Sequence, residues 1–277
     1  MQTENQSQVI ICVAPSGGRR SYKDHPNIPL TPTELSETAV ESLDAGASVF
    51  HLHVRDHNLR HVLDVSAYKT AIQAIYLRVG KNLVIQVTTE SCGLYQPEQQ
   101  IKMVKELRPE AVTLSLMELI PDTAYEVQAG NFFSWLSAER IFTQFIVFNS
   151  NEVKYLAELV QRGIVPSHDP CVLYVLGRYS QNQLSIPSDL DEFLEASFLK
   201  KAWFVCAFGK DEARCIDYAL SQGGHARIGF ENNLFLPNGK VAKSNAELVR
   251  IAAIDAVKRN RVLADSNQAR NLFSRHL

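Results

Sequence analysis

Short strand-like runs alternate with longer amphipathic segments along the whole chain, and this alternation constrains the fold more than any other feature. β-Branched and aromatic residues dominate eight runs, and helical periodicity marks the stretches between them. Such alternation is typical of a parallel sheet built from βα units. The runs are Val9–Ala14, Ser48–Val54, Leu83–Thr88, Ala111–Ser115, Gln144–Phe148, Val172–Leu176, Trp203–Ala207 and His225–Phe230.

Helix-like segments fill the intervals between these runs. The first follows Thr31-Pro32-Thr33-Glu34, where a capping side chain, an early proline and an early acid suit the free N–H groups of a helix start. The segments are predicted near Thr33–Ala45, Val65–Val79, Pro97–Leu107, Phe132–Arg140, Glu152–Arg162, Ser188–Lys201, Asp211–Ser221 and Ser244–Arg259.

Eight βα units in about 250 residues favour a closed (β/α)8 barrel. The pattern alone leaves an open doubly wound sheet as an alternative. Because no Gly/Ser linker, low-complexity tract or repeat interrupts the pattern, we predict a single domain over residues 1–277. Met117–Trp135 is the least regular stretch, and we expect an irregular connection there over the mouth of the barrel.

Composition and charge exclude several classes of protein. With 45% hydrophobic and 21% charged residues, the chain can bury a large core, which excludes disordered, collagen-like and disulfide-scaffold proteins. A net charge of −2 gives no basic field, so we expect no nucleic-acid partner. The sequence shows neither a signal-peptide pattern nor a run of about 18 apolar residues, and we predict a cytoplasmic protein without membrane contact.

The cysteines are scattered and form neither a C-x-x-C pair nor an even framework, as expected of a reducing compartment. We therefore interpret all five as core residues: Cys12, Cys92, Cys171, Cys206 and Cys215.

Two histidines end the second predicted strand, in the segment HLHVRD. Because strand side chains alternate, His51 and His53 share one face, and their apolar neighbours take the face toward the helices. Both imidazoles then point into the barrel, about 7 Å apart along the strand, and can converge on one metal ion. A pair of buried, hydrogen-bonded histidines is the alternative that this motif leaves open.

The eighth strand adds an acid and an arginine to the same region. In HARIGFENN, alternation places His225, Arg227, Gly229 and Glu231 on one face. An unpaired carboxylate at the barrel mouth is costly, so we expect Glu231 to have a partner. With the two histidines it forms the His/His/Glu set that several hydrolytic zinc sites use. Glu231, His51 and His53 are the predicted metal ligands.

Neutral polar residues end two further strands, and a glycine-rich loop follows the first strand. Hydroxyl and amide groups around a cation and an arginine suit a polarised carbonyl or an enolate. Strand-end hydroxyls also often bond loop backbone, and the loop is alternatively a flexible turn with solvated charges. The residues that we predict to contact substrate or assist the chemistry are Gln86, Thr88, Thr113, Ser115, Ser16, Gly17 and Arg19.

In this order, these motifs resemble the β-keto acid cleavage enzyme family, whose best-known activity is 3-keto-5-aminohexanoate cleavage. The resemblance covers nearly the whole chain and rests on HPNIPLTPTEL, AGASVFHLHVRD, VIQVTT, RPEAVTLS, VLYVLG, GGHARIGFENN and SNAELV. It implies a (β/α)8 barrel that binds one Zn²⁺ through His51, His53 and Glu231. It also implies assisting roles for Thr88, Thr113 and Arg227.

The implied reaction is a retro-Claisen-type exchange in which a β-keto acid and acetyl-CoA give a new acyl-CoA and acetoacetate. Zinc would act as a Lewis acid toward the developing enolate. The resemblance also suggests a homo-oligomer, a dimer or a tetramer. The sequence contains no phosphate-cradling motif or basic run that would locate the CoA site.

Three positions depart from the members that cleave an amino acid. Asn232 stands where those members have an acid, although we keep it among the catalytic candidates. Ile146 replaces a fifth-strand acid, and Arg19 replaces a first-loop acid suited to a substrate ammonium. Each change removes negative charge or adds positive charge, so we predict a non-aminated substrate with an anionic or apolar far end, and Arg19 as a carboxylate clamp. Met117–Phe133 also departs from the pattern of those members.

Two other functions remain open from the residues alone. A zinc-dependent hydrolase or aldolase-type lyase uses the same ligand set. A metal-binding barrel without catalysis is suggested by Asn232. Histidine and carboxylate ligands also suit Mn²⁺, Fe²⁺ and Co²⁺, so zinc depends partly on the resemblance.

Overall fold

A computed structural model describes residues 8–199 and 203–275, and eight parallel strands in it close into a barrel. Each strand pairs with its neighbours in chain order, and the last pairs with the first through Ala226 and Ile11. The (β/α)8 barrel is confirmed, and the open sheet is excluded. The strands are β1 (Ile11–Val13), β2 (Val49–Leu52), β3 (Val84–Thr88), β4 (Ala111–Ser115), β5 (Phe142–Val147), β6 (Cys171–Leu176), β7 (Trp203–Ala207) and β8 (His225–Ile228).

Helices surround the barrel, and the first begins as the sequence predicts. Thr31 accepts a hydrogen bond from the backbone of Glu34, whose carboxylate accepts one from the backbone of Thr31, forming a capping box. The α-helices are α1 (Pro32–Asp44), α2 (Val65–Val79), α3 (Pro97–Leu107), α4 (Leu116–Leu119), α5 (Glu126–Ala138), α6 (Ser150–Gln161), α7 (Asp191–Ala196), α8 (Glu212–Ser221), α9 (Asn245–Lys258) and α10 (Ser266–Ser274).

Two short strand pairs and several 3₁₀ turns lie outside the barrel. Gln8–Val9 pairs in parallel with Val262–Leu263, and Val54–Arg55 pairs antiparallel with His61–Val62. Three 3₁₀ turns lie at Thr123–Tyr125, Gln181–Gln183 and Pro187–Leu190.

The core has two parts, because each strand has an outer and an inner face. The outer residues, such as Phe50 and Leu52, pack with helix residues such as Tyr68. A smaller apolar cluster includes Phe204 on β7. Phe273 of α10 stacks on Phe204 at a centroid distance of 6.0 Å, so α10 packs against this second cluster.

Several predicted boundaries differ from the structure. Helix α5 begins at Glu126, six residues before the predicted helix Phe132–Arg140, and ends at Ala138. Most of Met117–Trp135 is therefore helical, and its prediction as an irregular connection was wrong. Asp122 caps the turn that leads into α5 by accepting a hydrogen bond from the backbone of Ala124. Val127 is 76% exposed on that helix and breaks the apolar periodicity on which the prediction relied.

The structure also bears on the predicted helix Ser188–Lys201, on the cysteines and on membrane spans. Of the helix predicted at Ser188–Lys201, α7 covers only Asp191–Ala196, and its last residues lie outside the described part of the chain. Four of the five cysteines are buried, but Cys92 is half-buried and the core prediction was wrong for it. No helix among the described residues combines the length and apolarity needed to cross a membrane.

Candidate active site

Three side chains converge at the carboxyl end of the barrel strands. His51 lies on β2, His53 follows that strand directly, and their Nε2 atoms are 3.1 Å apart. The Oε2 atom of Glu231 lies 3.6 Å from Nε2 of His53 and 3.9 Å from Nε2 of His51. This Oε2 atom is buried without a hydrogen-bond partner. The predicted set is therefore together, with its ligand atoms within 4.8 Å of one another.

Neighbouring residues keep the histidines neutral and oriented. The Nδ1 atom of His51 lies 3.2 Å from Oε1 of Gln86, which favours a proton on Nδ1 and a free lone pair on Nε2. Burial and the nearby Arg227 guanidinium hold the pKa of His51 well below its usual range. Burial and the neighbouring His61 do the same to the pKa of His53. Neutral imidazoles are the form that binds a metal ion.

Glu231 reaches the histidines from a turn and not from the strand. Strand β8 ends at Ile228, and Gly229 takes a φ of 137°, so the predicted alternation stops before the acid. The backbone N–H of Glu231 instead donates to the carbonyl of Ala14 at 3.1 Å. The prediction that strand alternation positions this carboxylate was wrong, although the side chain lies where it was expected.

Arg227 is the ion-pair partner of this carboxylate. Its Nη2 atom donates to Oε1 of Glu231 at 2.5 Å, and both side chains are largely buried. Burial by itself would raise the pKa of Glu231, but the Arg227 guanidinium outweighs burial and lowers it. Glu231 therefore stays ionised, with one oxygen on the arginine and the other facing the histidines.

A cavity opens beside the three converging side chains, at the end of the barrel where active sites of this fold lie. Its wall combines charged groups, hydroxyl groups and apolar side chains. The lining residues are Arg19, His51, Thr88, Thr89, Glu90, Thr113, Ser115, Glu118, Ile146, Phe148, Val175, Arg178, Tyr179, Cys206, Phe208, Arg227 and Glu231.

Residues 8–274 match the family described as beta-keto acid cleavage enzyme. The chain belongs to this family. It is therefore an acyl-transferring, carbon–carbon bond cleaving enzyme that acts on β-keto acids, as the sequence predicts.

Curated relatives are similar to this family member over nearly their whole length. A 3-keto-5-aminohexanoate cleavage enzyme of Fusobacterium nucleatum is 28% identical, with 96% of this chain and 98% of the relative covered. A 3-oxoadipate:acetyl-CoA acetyltransferase of Cupriavidus necator is 25% identical, covering 95% and 94%. Solved structures of ObcA share the fold, with a TM-score of 0.69 at 16% identity in the apo form, 90% of this chain and 65% of the ObcA chain being covered.

Five residues that we predicted from the sequence lie on the cavity wall of this family member, together with His51 and Glu231. Ser115 has a buried Oγ atom without a hydrogen-bond partner. Thr88 Oγ1 accepts a hydrogen bond from the backbone of Glu90 at 3.0 Å. Thr113 Oγ1 makes a long contact of 3.5 Å with the carbonyl of Val87. The structure thus brings five predicted residues to one cavity wall: Arg227, Thr88, Thr113, Ser115 and Arg19.

Other predicted residues lie behind the wall. Gln86 supports His51, and Gly17 packs against Glu231. Ser16 is buried, and its Oγ atom has no partner. The structure does not place Asn232 in the cavity, because its amide nitrogen points to the buried carboxylate of Glu212 at 3.4 Å. Its Oδ1 atom is buried without a hydrogen-bond partner, and the catalytic role of Asn232 stays a prediction.

Sequence reasoning missed three charged residues of the wall: Glu90, Arg178 and Glu118. Glu90 follows β3, and its carboxylate lies 4.0 Å from Nδ1 of His53. Arg178 follows β6, and its Nη2 atom donates to Oε1 of Glu90 at 3.3 Å. Burial and the nearby Glu231 raise the pKa of Glu90. Glu90 and Arg178 lie within two positions of the end of a strand, and the strand-end rule that found the other residues also applies to them.

Proposed function

We propose that this enzyme exchanges a β-keto acid with acetyl-CoA in a zinc-dependent reaction. The bond between C2 and C3 of the β-keto acid breaks, and its acyl group passes to CoA. The acetyl group of acetyl-CoA joins the released two-carbon carboxylate, giving acetoacetate. The observation that carries the proposal is the buried, unpartnered Oε2 atom of Glu231 facing Nε2 of His51 and of His53. The names of several curated relatives, which include acetyl-CoA, support the exchange.

The donor set fits a dication. Two neutral imidazoles and one ionised carboxylate are a usual ligand set for catalytic zinc, and the close approach of two Nε2 atoms needs a shared proton or a shared cation. Zn²⁺ bound by His51, His53 and Glu231 would supply Lewis acidity toward the oxygens of a β-keto acid. Gln86 keeps the lone pair of His51 directed at that position.

The polar groups of the wall hold and stabilise the reacting fragment. Breaking the C2–C3 bond leaves negative charge on an enolate oxygen, and preorganised donors lower the energy of such charge. Arg227 is a buried cation at this position, and Ser115 carries a hydroxyl without a partner. Thr88 and Thr113 line the same surface. We assign these four residues to stabilising the enolate, and Ser16 and Gly17 to shaping the loop beside it.

The charges of the wall favour a substrate without an amino group. Without a metal ion, the formal charges of the cavity wall sum to zero, because it contains three arginines and three glutamates. These residues are Arg19, Arg178, Arg227, Glu90, Glu118 and Glu231. A bound dication then gives the cavity a net positive charge, which suits an anionic substrate. Ile146 adds no charge at a position where the family resemblance implies an acid in the members that cleave an amino acid.

Each of the three acids already has a partner, and for two of them that partner is an arginine, which disfavours a substrate ammonium. Glu231 pairs with Arg227, and Glu90 with Arg178. Glu118 accepts hydrogen bonds at 2.9 Å from the backbone and the hydroxyl of Ser91. We therefore keep the proposal of a non-aminated substrate, with Arg19 contributing to its recognition.

The test is a screen of β-keto acids with acetyl-CoA, in which mass spectrometry follows acetoacetate and the new acyl-CoA. We include 3-oxoadipate, 3-oxohexanoate and 3-keto-5-aminohexanoate. Acetoacetate that forms only when acetyl-CoA is present supports the exchange. Cleavage or hydrolysis without acetyl-CoA would favour the zinc-dependent hydrolase or lyase, and preference for the amine would contradict the non-aminated substrate. Elution volume on size exclusion tests the expected homo-oligomer.

A further inference from the structure

We infer that Arg178 binds the second carboxylate of a β-keto dicarboxylic acid and so selects this substrate class. The inference rests on the proposed exchange reaction and names the substrate that the cavity takes. Arg178 is not one of the residues that we predicted from the sequence, and it has no part in the proposed stabilisation of the enolate.

The backbone at Arg178 is fixed by its surroundings. Gly177 directly follows β6 and has a φ of 76°, and a Cβ atom there would lie 2.8 Å from the carbonyl oxygen of Leu184. The side chain of Gln183 donates to the carbonyl of Arg178 at 3.3 Å. Because this turn packs closely against the following loop, the arginine projects into the cavity from a rigid position.

The guanidinium of Arg178 is held on one side and available on the other. It lies over the ring of Phe208 at 5.0 Å from the centroid, and Nη2 donates to Glu90. A guanidinium has five N–H donors, and among the described residues this is the one hydrogen bond of the Arg178 side chain. The side chain is only 16% exposed, so its other N–H donors have little contact with bulk water. An anion that enters the cavity can therefore accept hydrogen bonds from a guanidinium that is already oriented.

Neither of the other two cavity arginines has a guanidinium that is both oriented and available to an anion. Arg227 is committed to Glu231, which is a predicted metal ligand. Arg19 has a side chain that is 60% exposed and approaches Glu90 no closer than 3.7 Å. Holding a mobile, solvated arginine against an anion costs side-chain entropy, which makes Arg178 the stronger carboxylate site.

The remaining wall suits the chain between two carboxylates. The same cavity that contains His51 and Glu231 has apolar surface from Ile146, Phe148 and Phe208. Arg178 lines the same cavity as His51 and Glu231, so the arginine and the predicted metal position face one space. A substrate whose first carboxylate lies at the histidines can therefore direct its second carboxylate at Arg178.

The experiment compares 3-oxoadipate with 3-oxohexanoate, which has the same chain length and lacks the second carboxylate. We measure kcat/KM for both acids with acetyl-CoA in the wild type, Arg178→Gln and Arg178→Lys. We expect the wild type to prefer the diacid and Arg178→Gln to lower this preference by roughly 10- to 100-fold. Arg178→Lys keeps the positive charge but loses the paired N–H donors of the guanidinium, and it should lower the preference for the diacid less than Arg178→Gln does.

Arg214→Gln is the matched control, because Arg214 lies on α8 in a surface ion pair with Asp211. It should keep the wild-type preference. A wild type that favours the monoacid, or an Arg178→Gln variant with the wild-type preference, would overturn the inference while leaving the exchange reaction in place.

Binding separates this inference from the proposed function. Calorimetry with adipate, which is not cleaved, should show weaker binding to Arg178→Lys and Arg178→Gln than to the wild type, whether or not any acid is turned over. Equal adipate affinity in all three proteins would overturn the inference. Absence of acetyl-CoA-dependent product from both keto acids would count against the exchange reaction alone.

Discussion

Gly17 leaves the space that the side chain of Glu231 occupies. A Cβ atom on Gly17 would lie 2.5 Å from Cγ of Glu231, which is far inside van der Waals contact. Gly17 also has a φ of 60°, a conformation that L residues adopt at a cost. The first βα loop therefore holds the predicted carboxylate ligand in position by contact.

We expect Gly17→Ala to displace Glu231 and lower metal content and turnover together. Gly80→Ala is the matched control, because Gly80 has a φ of 58° and an added Cβ atom would meet no atom within 4 Å. Both variants should lose stability from backbone strain, by about 1 kcal/mol or more, and Gly17→Ala also places its Cβ atom against Glu231. Elemental analysis and thermal unfolding check this, and equal metal content in the two variants would show that the contact has no effect on the site.

Arg227→Gln should lower kcat by about 10²- to 10³-fold, since it removes a preorganised cation beside the developing charge. All three predicted ligands remain in this variant, so metal should be retained. Arg259→Gln, which breaks a surface pair with Asp217, is the control and should leave kcat unchanged. Steady-state kinetics with metal analysis on the same sample measures both quantities. An unchanged kcat in Arg227→Gln would exclude this side chain from the chemistry.

Gln86→Leu should weaken metal binding by about 10- to 100-fold, because it removes the acceptor that orients His51. Gln144 lies one step further away and accepts a hydrogen bond from Gln86 at 3.3 Å. Gln144→Leu should therefore have the smaller effect. Competition with a chelator gives both affinities, and an equal loss in the two variants would mean that general disruption of the core explains the result.

Glu212 should make the protein less stable as pH rises from about 5 to about 8. Burial raises the pKa of this carboxyl from 4.5 to about 8, despite hydrogen bonds from the turn that carries Glu231. Between these values the folded chain keeps a proton that the unfolded chain releases, so stability falls as pH rises through this window. Glu212→Gln cannot ionise.

The measurement is urea unfolding of wild type and Glu212→Gln at several pH values in this window. The difference in unfolding free energy, wild type minus variant, should decrease as pH increases. A difference that stays constant, or that grows with pH, would show that Glu212 is ionised in the folded state across the window.

Much of the fold follows from local pattern. Ala111–Ser115 and Trp203–Ala207 are strands with the predicted bounds, because β-branched and aromatic runs between turn residues leave little choice. Helix α10 was not predicted. It has few apolar residues, and Phe273 acquires its role only through packing on the barrel.

The site was predictable where residues lie on strands and less so beyond strand ends. His51 and His53 follow the alternation, whereas Glu231 depends on the turn at Gly229, which alternation does not describe. Arg178 and Glu90 meet across the mouth from different loops, and a contact between residues so distant in sequence leaves no local pattern.

The zinc content of the purified wild-type protein tests the central claim most directly, with His51→Ala and Glu231→Ala measured alongside it. We predict about one zinc per chain in the wild type and loss of the metal in both variants, as three protein ligands of a single catalytic ion require. A wild type without metal, or either variant with full zinc occupancy, would contradict the assignment of His51, His53 and Glu231 as the metal site.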